Sequence, residues 1–133
     1  MTEVYLIREL PDGGKEFVLD DPVLAWIQID ARIHLRFGAV EVVLGGPFDV
    51  DLDGIVHRLD PQRVEGLGPL LALFPGTARW LWSAPDGCLQ LVFEHGARLR
   101  VAPGGPAGAW ALEAGGREQV SPGSHRRPGR SGQ

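Results

Sequence analysis

Apolar and polar residues alternate with a period of two along most of this chain, and glycine or proline interrupts the alternation every few residues. The clearest run lies between residues 25 and 37, where Ile33, Leu35 and Phe37 alternate with polar side chains. Successive side chains of a β-strand point to opposite faces of its sheet, so this period predicts a strand, or a tight strand pair, with one buried face. Similar runs lie at residues 40–44, 48–53, 78–82, 89–94, 99–101 and 109–113.

One segment departs from this alternation. Asp60 and Pro61 suit the N-cap and the first position of a helix. The apolar residues that follow have the i, i+3, i+4, i+7 spacing of one buried helical face, at Leu67, Leu70, Leu71 and Phe74. The sequence therefore predicts an α+β fold that is mainly antiparallel β, with six to eight strands and one short helix near residues 61–74.

Length and charge predict one domain with a short tail. The 133 residues suffice for one ordinary domain, which we place at residues 1–120. These residues hold all 17 acidic and 10 of the 13 basic residues, so their formal charge is −7. Residues 121–133 contain three arginines and no aliphatic or aromatic side chain, which predicts a disordered basic tail.

Composition and charge also indicate the cellular compartment of the protein and the classes of partner that it can bind. No stretch of 18 apolar residues and no secretory signal is present, and the single cysteine suits a reducing compartment, so we expect a cytoplasmic protein without a membrane partner. Three tail arginines neutralise too few phosphates for strong binding, and the acidic body opposes it, so no nucleic-acid partner is expected.

Four aspartates suggest one metal site. Calcium loops of the EF-hand type place oxygen ligands at positions 1, 3, 5 and 12 and a glycine at position 6. Here those positions hold Asp49, Asp51, Asp53, Asp60 and Gly54. Glycine and proline stand where the entering helix should be, however, and the same residues also fit a strand that turns at Gly54. The hairpin is the favoured interpretation, and calcium binding is the alternative.

No residue pattern predicts catalysis or a cofactor. The only cysteine, Cys88, has no base or helix N-terminus that the sequence can assign to it. The four histidines are scattered without zinc spacing, and Ser83 lies in no nucleophile elbow. We therefore expect a protein that is not an enzyme.

Tryptophan supplies the strongest binding signal. Trp80 and Trp82 are two residues apart on a predicted strand, so they share a face, with Arg79 and Leu81 on the other. Tryptophan is enriched at interface hot spots and is also a common core residue. The sequence is compatible with both roles for this pair, packing in the core or forming a face that binds a partner.

The order of strands and turns also carries a resemblance. Its residues are Gly87-x-Leu89-x-Leu91-x-Phe93-x-x-Gly96-x-x-Leu99-x-Val101 and Ala109-Trp110-x-Leu112, with Asp30-x-x-Ile33-x-Leu35-x-Phe37 and Leu59-Asp60-Pro61 upstream. Over residues 26–112 the chain resembles small bacterial domains of unknown function, and it is similar to some immunity proteins that neutralise toxins. This resemblance implies a partner-binding role and transfers no catalytic residue.

Together these features predict a non-catalytic, protein-binding module, with an immunity-type inhibitor as one form of it. Because the body is acidic, a basic partner protein is expected. An exposed edge strand is also compatible with a homodimer. The alternative is a small-ligand or calcium-binding domain that uses the Asp49–Asp60 loop.

Overall fold

The residues that the structure describes form twelve β-strands in two antiparallel sheets. We analysed a computed structural model that describes residues 5–104, 108–114 and 117–121. The strands are β1 (Tyr5–Glu9), β2 (Lys15–Leu19), β3 (Trp26–Ile29), β4 (Ile33–Phe37), β5 (Val40–Leu44), β6 (Phe48–Leu52), β7 (Ile55–Leu59), β8 (Ala78–Ser83), β9 (Leu89–Phe93), β10 (Arg98–Val101), β11 (Trp110–Ala114) and β12 (Arg117–Val120). One sheet has the order β1-β2-β8-β9-β10-β6-β7, and the other has the order β12-β11-β5-β4-β3.

Both sheets contribute to one hydrophobic core. Phe37 on β4 lies 6.3 Å from Phe93 on β9, measured between ring centroids, so the two sheets meet through aromatic contact. The indole N–H of Trp110 on β11 donates a 2.8 Å hydrogen bond to the carbonyl oxygen of Gly87, in the turn between β8 and β9. Leu35, Leu44, Leu91 and Leu99, from both sheets, are fully buried in the same cluster.

The antiparallel β prediction is confirmed, but the strand count and the helix are not. The structure has twelve strands rather than six to eight, because one run divides at a tight turn and because β1, β2, β7 and β12 lie outside the alternating runs. The run at residues 25–37 becomes the hairpin of β3 and β4, whose turn is closed when the backbone N–H of Arg32 donates to Asp30.

The predicted helix at residues 61–74 is replaced by two 3₁₀ segments, Val64–Gly66 and Gly68–Leu73. Two glycines weaken this stretch, and Pro69 removes a backbone donor and disfavours the α conformation of the residue before it. A 3₁₀ helix has three residues per turn, and accordingly the buried side chains are spaced by three, at Leu67, Leu70 and Leu73. Leu71 and Phe74, which the helical spacing placed on the buried face, are exposed.

No α-helix occurs in the described ranges, and none of their helices could cross a membrane. The predicted disordered tail falls almost wholly at residues 122–133, which lie outside these ranges.

Candidate functional site

The side of the seven-stranded sheet that points away from the core carries a continuous row of polar and aromatic residues. We call this side the outer face. Cross-strand pairing aligns one residue from each strand in a polar row, in the order Arg8, Glu16, Trp82, Gln90, Arg100, Asp49 and Arg58. Neighbouring strands lie about 4.8 Å apart, so residues adjacent in this row are within side-chain contact of one another.

A second row on the outer face is more apolar. Leu6 pairs with Val18 across β1 and β2, and Trp80 pairs with Val92 across β8 and β9. Val18 and Trp80 line one depression of about 190 Å³, so the two apolar pairs lie next to each other. Arg98 follows Val92 in this row. The outer face thus combines an apolar band with charged flanks.

Trp80 and Trp82 both lie on the outer face rather than in the core. Their centroids are 5.5 Å apart and their rings are tilted by 38°. Trp80 is 42% exposed and Trp82 is half-buried, whereas Leu81 between them is 1% exposed on the core side. The sequence left two roles open for this pair, core packing and partner binding. The structure places the indole rings outside the core, on a face that a partner can reach.

A groove runs beside Trp80. It has a volume of about 560 Å³, and Arg79, Trp80, Val92 and Arg98 are among the residues that line it. Arg79 is the extra residue of a β-bulge, because the register between β8 and β9 shifts between Ala78 and Trp80. The bulge brings Arg79 to the same groove as Trp80, instead of the opposite face that strict alternation predicts.

Three carboxylates of the outer face already have local partners. Glu16 lies 3.6 Å from Arg8, and Asp49 lies 3.2 Å from Arg58. Asp51 accepts a 2.9 Å hydrogen bond from the backbone N–H of Gly54. By contrast, three exposed arginines among the described residues of the outer face have no carboxylate at ion-pair distance, namely Arg79, Arg98 and Arg100.

Trp82 adds an unused donor to this face. Its indole nitrogen is buried, and it has no hydrogen-bond acceptor among the residues that the structure describes. A buried donor without an acceptor costs about 1–3 kcal/mol, and an outside group reaches this nitrogen only if neighbouring side chains move.

The four aspartates of the calcium hypothesis do not converge. Asp49 and Asp51 lie on the extended strand β6, and Asp53, with φ of 54°, forms the two-residue turn to β7 with Gly54. Asp60 follows the far end of the five-residue β7, which places it roughly 17 Å or more along the hairpin from Asp53. Its carboxylate accepts a hydrogen bond from the backbone N–H of Gln62. The favoured hairpin is therefore the structure of this segment.

No group of three or more metal-ligating side chains occurs elsewhere in the described part of the chain. The thiol of Cys88 is buried, and burial raises its pKa, while the nearby Arg100 acts in the opposite direction. The backbone N–H of Cys88 donates to Asp86. These surroundings keep the thiol protonated at neutral pH, which is unfavourable for a nucleophile.

The outward side of the five-stranded sheet carries a cluster that the sequence analysis missed. The ring of His34 lies between two carboxylates, with Nδ1 at 3.0 Å from Glu41 and Nε2 at 3.3 Å from Asp30. The hydrogen bond from the backbone N–H of Arg32 lowers the pKa of Asp30. Beside this cluster, the guanidinium of Arg36 lies 5.0 Å from the ring centre of Trp26.

Sequence reasoning also missed the arginines of the outer face. The spacing of Arg98 and Arg100 around the apolar Leu99 does place both on one side of a strand. Their position next to Trp80 and Gln90 depends on which strands pair, and one sequence does not contain that information.

The fold and this face together define a two-sheet antiparallel β protein with an aromatic, arginine-flanked surface. The chain belongs to a family of unknown function, DUF6188, whose model matches residues 17–124. No curated protein and no solved structure matches the chain. The resemblance to domains of unknown function is thereby confirmed, and the likeness to immunity proteins stays a prediction.

Proposed function

We propose that this chain is a non-catalytic module that binds another protein through the outer face of its seven-stranded sheet. The observation that carries the proposal is the position of Trp80, 42% exposed and next to a groove of about 560 Å³. Trp80 and Trp82 offer large rigid surfaces that lose little conformational entropy on binding, which is why tryptophan is enriched at hot spots. Inhibition of the partner, as in immunity-type proteins, is one form that such binding would take.

Two further features support binding rather than chemistry. The groove is open and shallow, and the residues that line it include no nucleophile paired with a base. The apolar band of Leu6, Val18, Trp80 and Val92 is exposed or half-buried, as expected for a sheet face that meets a second macromolecule.

The test compares two tryptophans of similar exposure. Trp80→Ala removes the indole beside the groove, and Trp26→Ala removes one that is 46% exposed on the other sheet. Proteins captured from a lysate of the source cells by the tagged chain are quantified by mass spectrometry, and the affinity for each is then measured. We expect Trp80→Ala to weaken capture of a stoichiometric partner by about 2 kcal/mol or more, roughly 30-fold, and Trp26→Ala to leave it unchanged.

If both variants capture the same proteins as the unmodified chain, the outer face is not the binding surface. If Trp26→Ala alone loses the partner, binding occurs on the five-stranded sheet. Circular dichroism and thermal melting of each variant show whether an altered capture reflects unfolding instead.

A further inference from the structure

We infer that the outer face binds a protein segment whose carboxylate side chains flank an apolar side chain. This inference rests on the proposed function, because it specifies the partner of the same surface. Its central observation is the combination of exposed arginines with an exposed indole: Arg79 and Arg98 line the groove beside Trp80, and Arg100 lies on the same strand as Arg98.

The charges of the outer face leave arginine in excess. Glu16 and Asp49 are neutralised by ion pairs within the face, and Asp51 accepts a hydrogen bond from the neighbouring turn. Within the residues described, Arg79, Arg98 and Arg100 have no such partner. A guanidinium offers five donors in a planar fork that matches a carboxylate in two-point contact, so these side chains favour an acidic ligand.

The residues that line the groove indicate that the ligand also has an apolar side chain. Arg79 and Arg98 both line it, and Trp80 and Val92 lie in the same lining. An aliphatic or aromatic side chain can pack on Trp80 while acidic neighbours reach the two arginines.

Glu94 limits where the carboxylates can bind. It lines the groove and is exposed, and no ion pair within the described ranges neutralises it. Like charges in close contact are unfavourable, and Asp51 and Asp49 on β6 pair with Arg98 and Arg100, so the acidic side chains should approach these guanidinium groups from the solvent side, away from Glu94 and from β6.

The chain as a whole has a formal charge of −4, which by itself predicts a basic partner. At physiological ionic strength, however, charges more than about 8 Å apart are largely screened. The contact is therefore governed by the arginines of the face, and the net charge affects only the long-range approach.

The experiment uses the full chain, immobilised, and a phage-displayed library of random dodecapeptides as the probe. Selected peptides are measured for affinity to the unmodified chain, to Trp80→Ala and to Arg98→Gln. Trp26→Ala and Arg63→Gln are the matched controls, since Trp26 and Arg63 are exposed away from the outer face. Both arginine variants lose one charge without introducing a repulsive one.

We expect the selected peptides to be enriched in Asp and Glu next to a large apolar residue. Arg98→Gln should weaken their binding about tenfold, as for loss of a hydrogen bond to a charged group, and Arg63→Gln should leave it unchanged. Replacing Glu by Gln in a selected peptide should weaken binding to the unmodified chain and have little effect on binding to Arg98→Gln.

Two results would overturn the inference. One of them leaves the proposed function standing, and the other contradicts the proposed function as well. Peptides that need Trp80 but carry no carboxylate, or carry basic residues, contradict the acidic ligand and leave the proposed binding face intact. A selection that yields no peptide dependent on Trp80 contradicts both.

Discussion

Cys88 shows how a single residue's surroundings decide its chemistry. The thiol is buried immediately before β9, and burial raises its pKa because the thiolate would lose hydration. The thiolate is the form that reacts with disulfides and alkylating agents. We therefore expect the native thiol to react with a disulfide reagent at pH 8 at least about tenfold more slowly than in the urea-unfolded chain. Equal rates would show that Cys88 is accessible and contradict its buried position.

The same shift predicts how stability depends on pH. A thiol whose pKa is raised on folding binds its proton more tightly in the native state. The contribution of the protonated thiol to stability is therefore fully present, and independent of pH, below the pKa of the unfolded thiol, about 8.5. Above that pH the contribution is lost, and Cys88→Ala should show a weaker decline of stability with alkaline pH than the unmodified chain.

At the residue scale, the side of a strand on which a residue lies could be predicted, but the exposure of that side to solvent could not. Alternation placed Trp80 and Trp82 on one side of β8, and this is confirmed. Whether that side faces the core depends on the position of the second sheet, which is set by contacts between residues distant in the sequence. The bulge at Arg79 shows a further limit, since the extra residue becomes evident only against the register of β9.

At the element scale, the end of β5 depends on a close backbone approach. A Cβ added at Gly45 would collide with the carbonyl oxygen of Gly108, whereas one added at Gly46 would lie 3.7 Å from the Cα of Ala109, an ordinary contact. The N–H of Gly45 also donates to the carbonyl oxygen of Ala109. Gly45→Ala should therefore lower the free energy of unfolding by about 1–3 kcal/mol, as for other overpacked sites.

Gly46→Ala is the control, and its effect should stay within about 0.5 kcal/mol. Urea denaturation of both variants measures the difference. Equal losses would mean that conformational restriction of the chain, and not the contact with Gly108, determines the effect.

The segment at residues 61–74 explains why one element was predicted wrongly. Leu67, Leu70, Leu71 and Phe74 fit a helix with 3.6 residues per turn, whereas leucines at 67, 70 and 73 fit one with three. Both patterns are present in the sequence. Local chemistry selects the second, since Pro69 and the adjacent glycines prevent a continuous α-helix. Tertiary contacts then bury Leu70 and Leu73.

At the scale of the whole molecule, Trp110 joins the two sheets. Its ring is 1% exposed, and its indole N–H reaches the turn between β8 and β9. Trp110→Phe removes this hydrogen bond and leaves the carbonyl of Gly87 without it, which should cost about 1–3 kcal/mol. Trp26→Phe, at an exposed site, should cost less than about 0.5 kcal/mol.

Because both sheets share one core, far-ultraviolet circular dichroism and tryptophan fluorescence should report a single unfolding transition in both variants. Separate transitions for the two signals would show that the sheets fold independently and that Trp110 is not a structural link between them.

Architecture at this scale was predictable only in part. Strand alternation and glycine turns indicated antiparallel β structure, because local sequence determines both. The division into two sheets and the non-local pairs of β10 with β6 and β11 with β5 were not predicted. These pairs join residues far apart in the chain, and many alternatives bury the same apolar faces. The same limit applies to the outer face, because its two rows of residues can be identified only when the strand pairing is known.

The central claim, that partners bind on the outer face, is tested most directly by site-specific photo-cross-linking. Two glutamines form a matched pair: Gln90 lies at the centre of the polar row, and Gln28 lies on the outward side of the five-stranded sheet. Each is replaced in turn by p-benzoylphenylalanine, and the chain is irradiated in its own cells. Our account predicts a discrete protein adduct from position 90 and none from position 28. An adduct from position 28 alone, or from neither position, would contradict it.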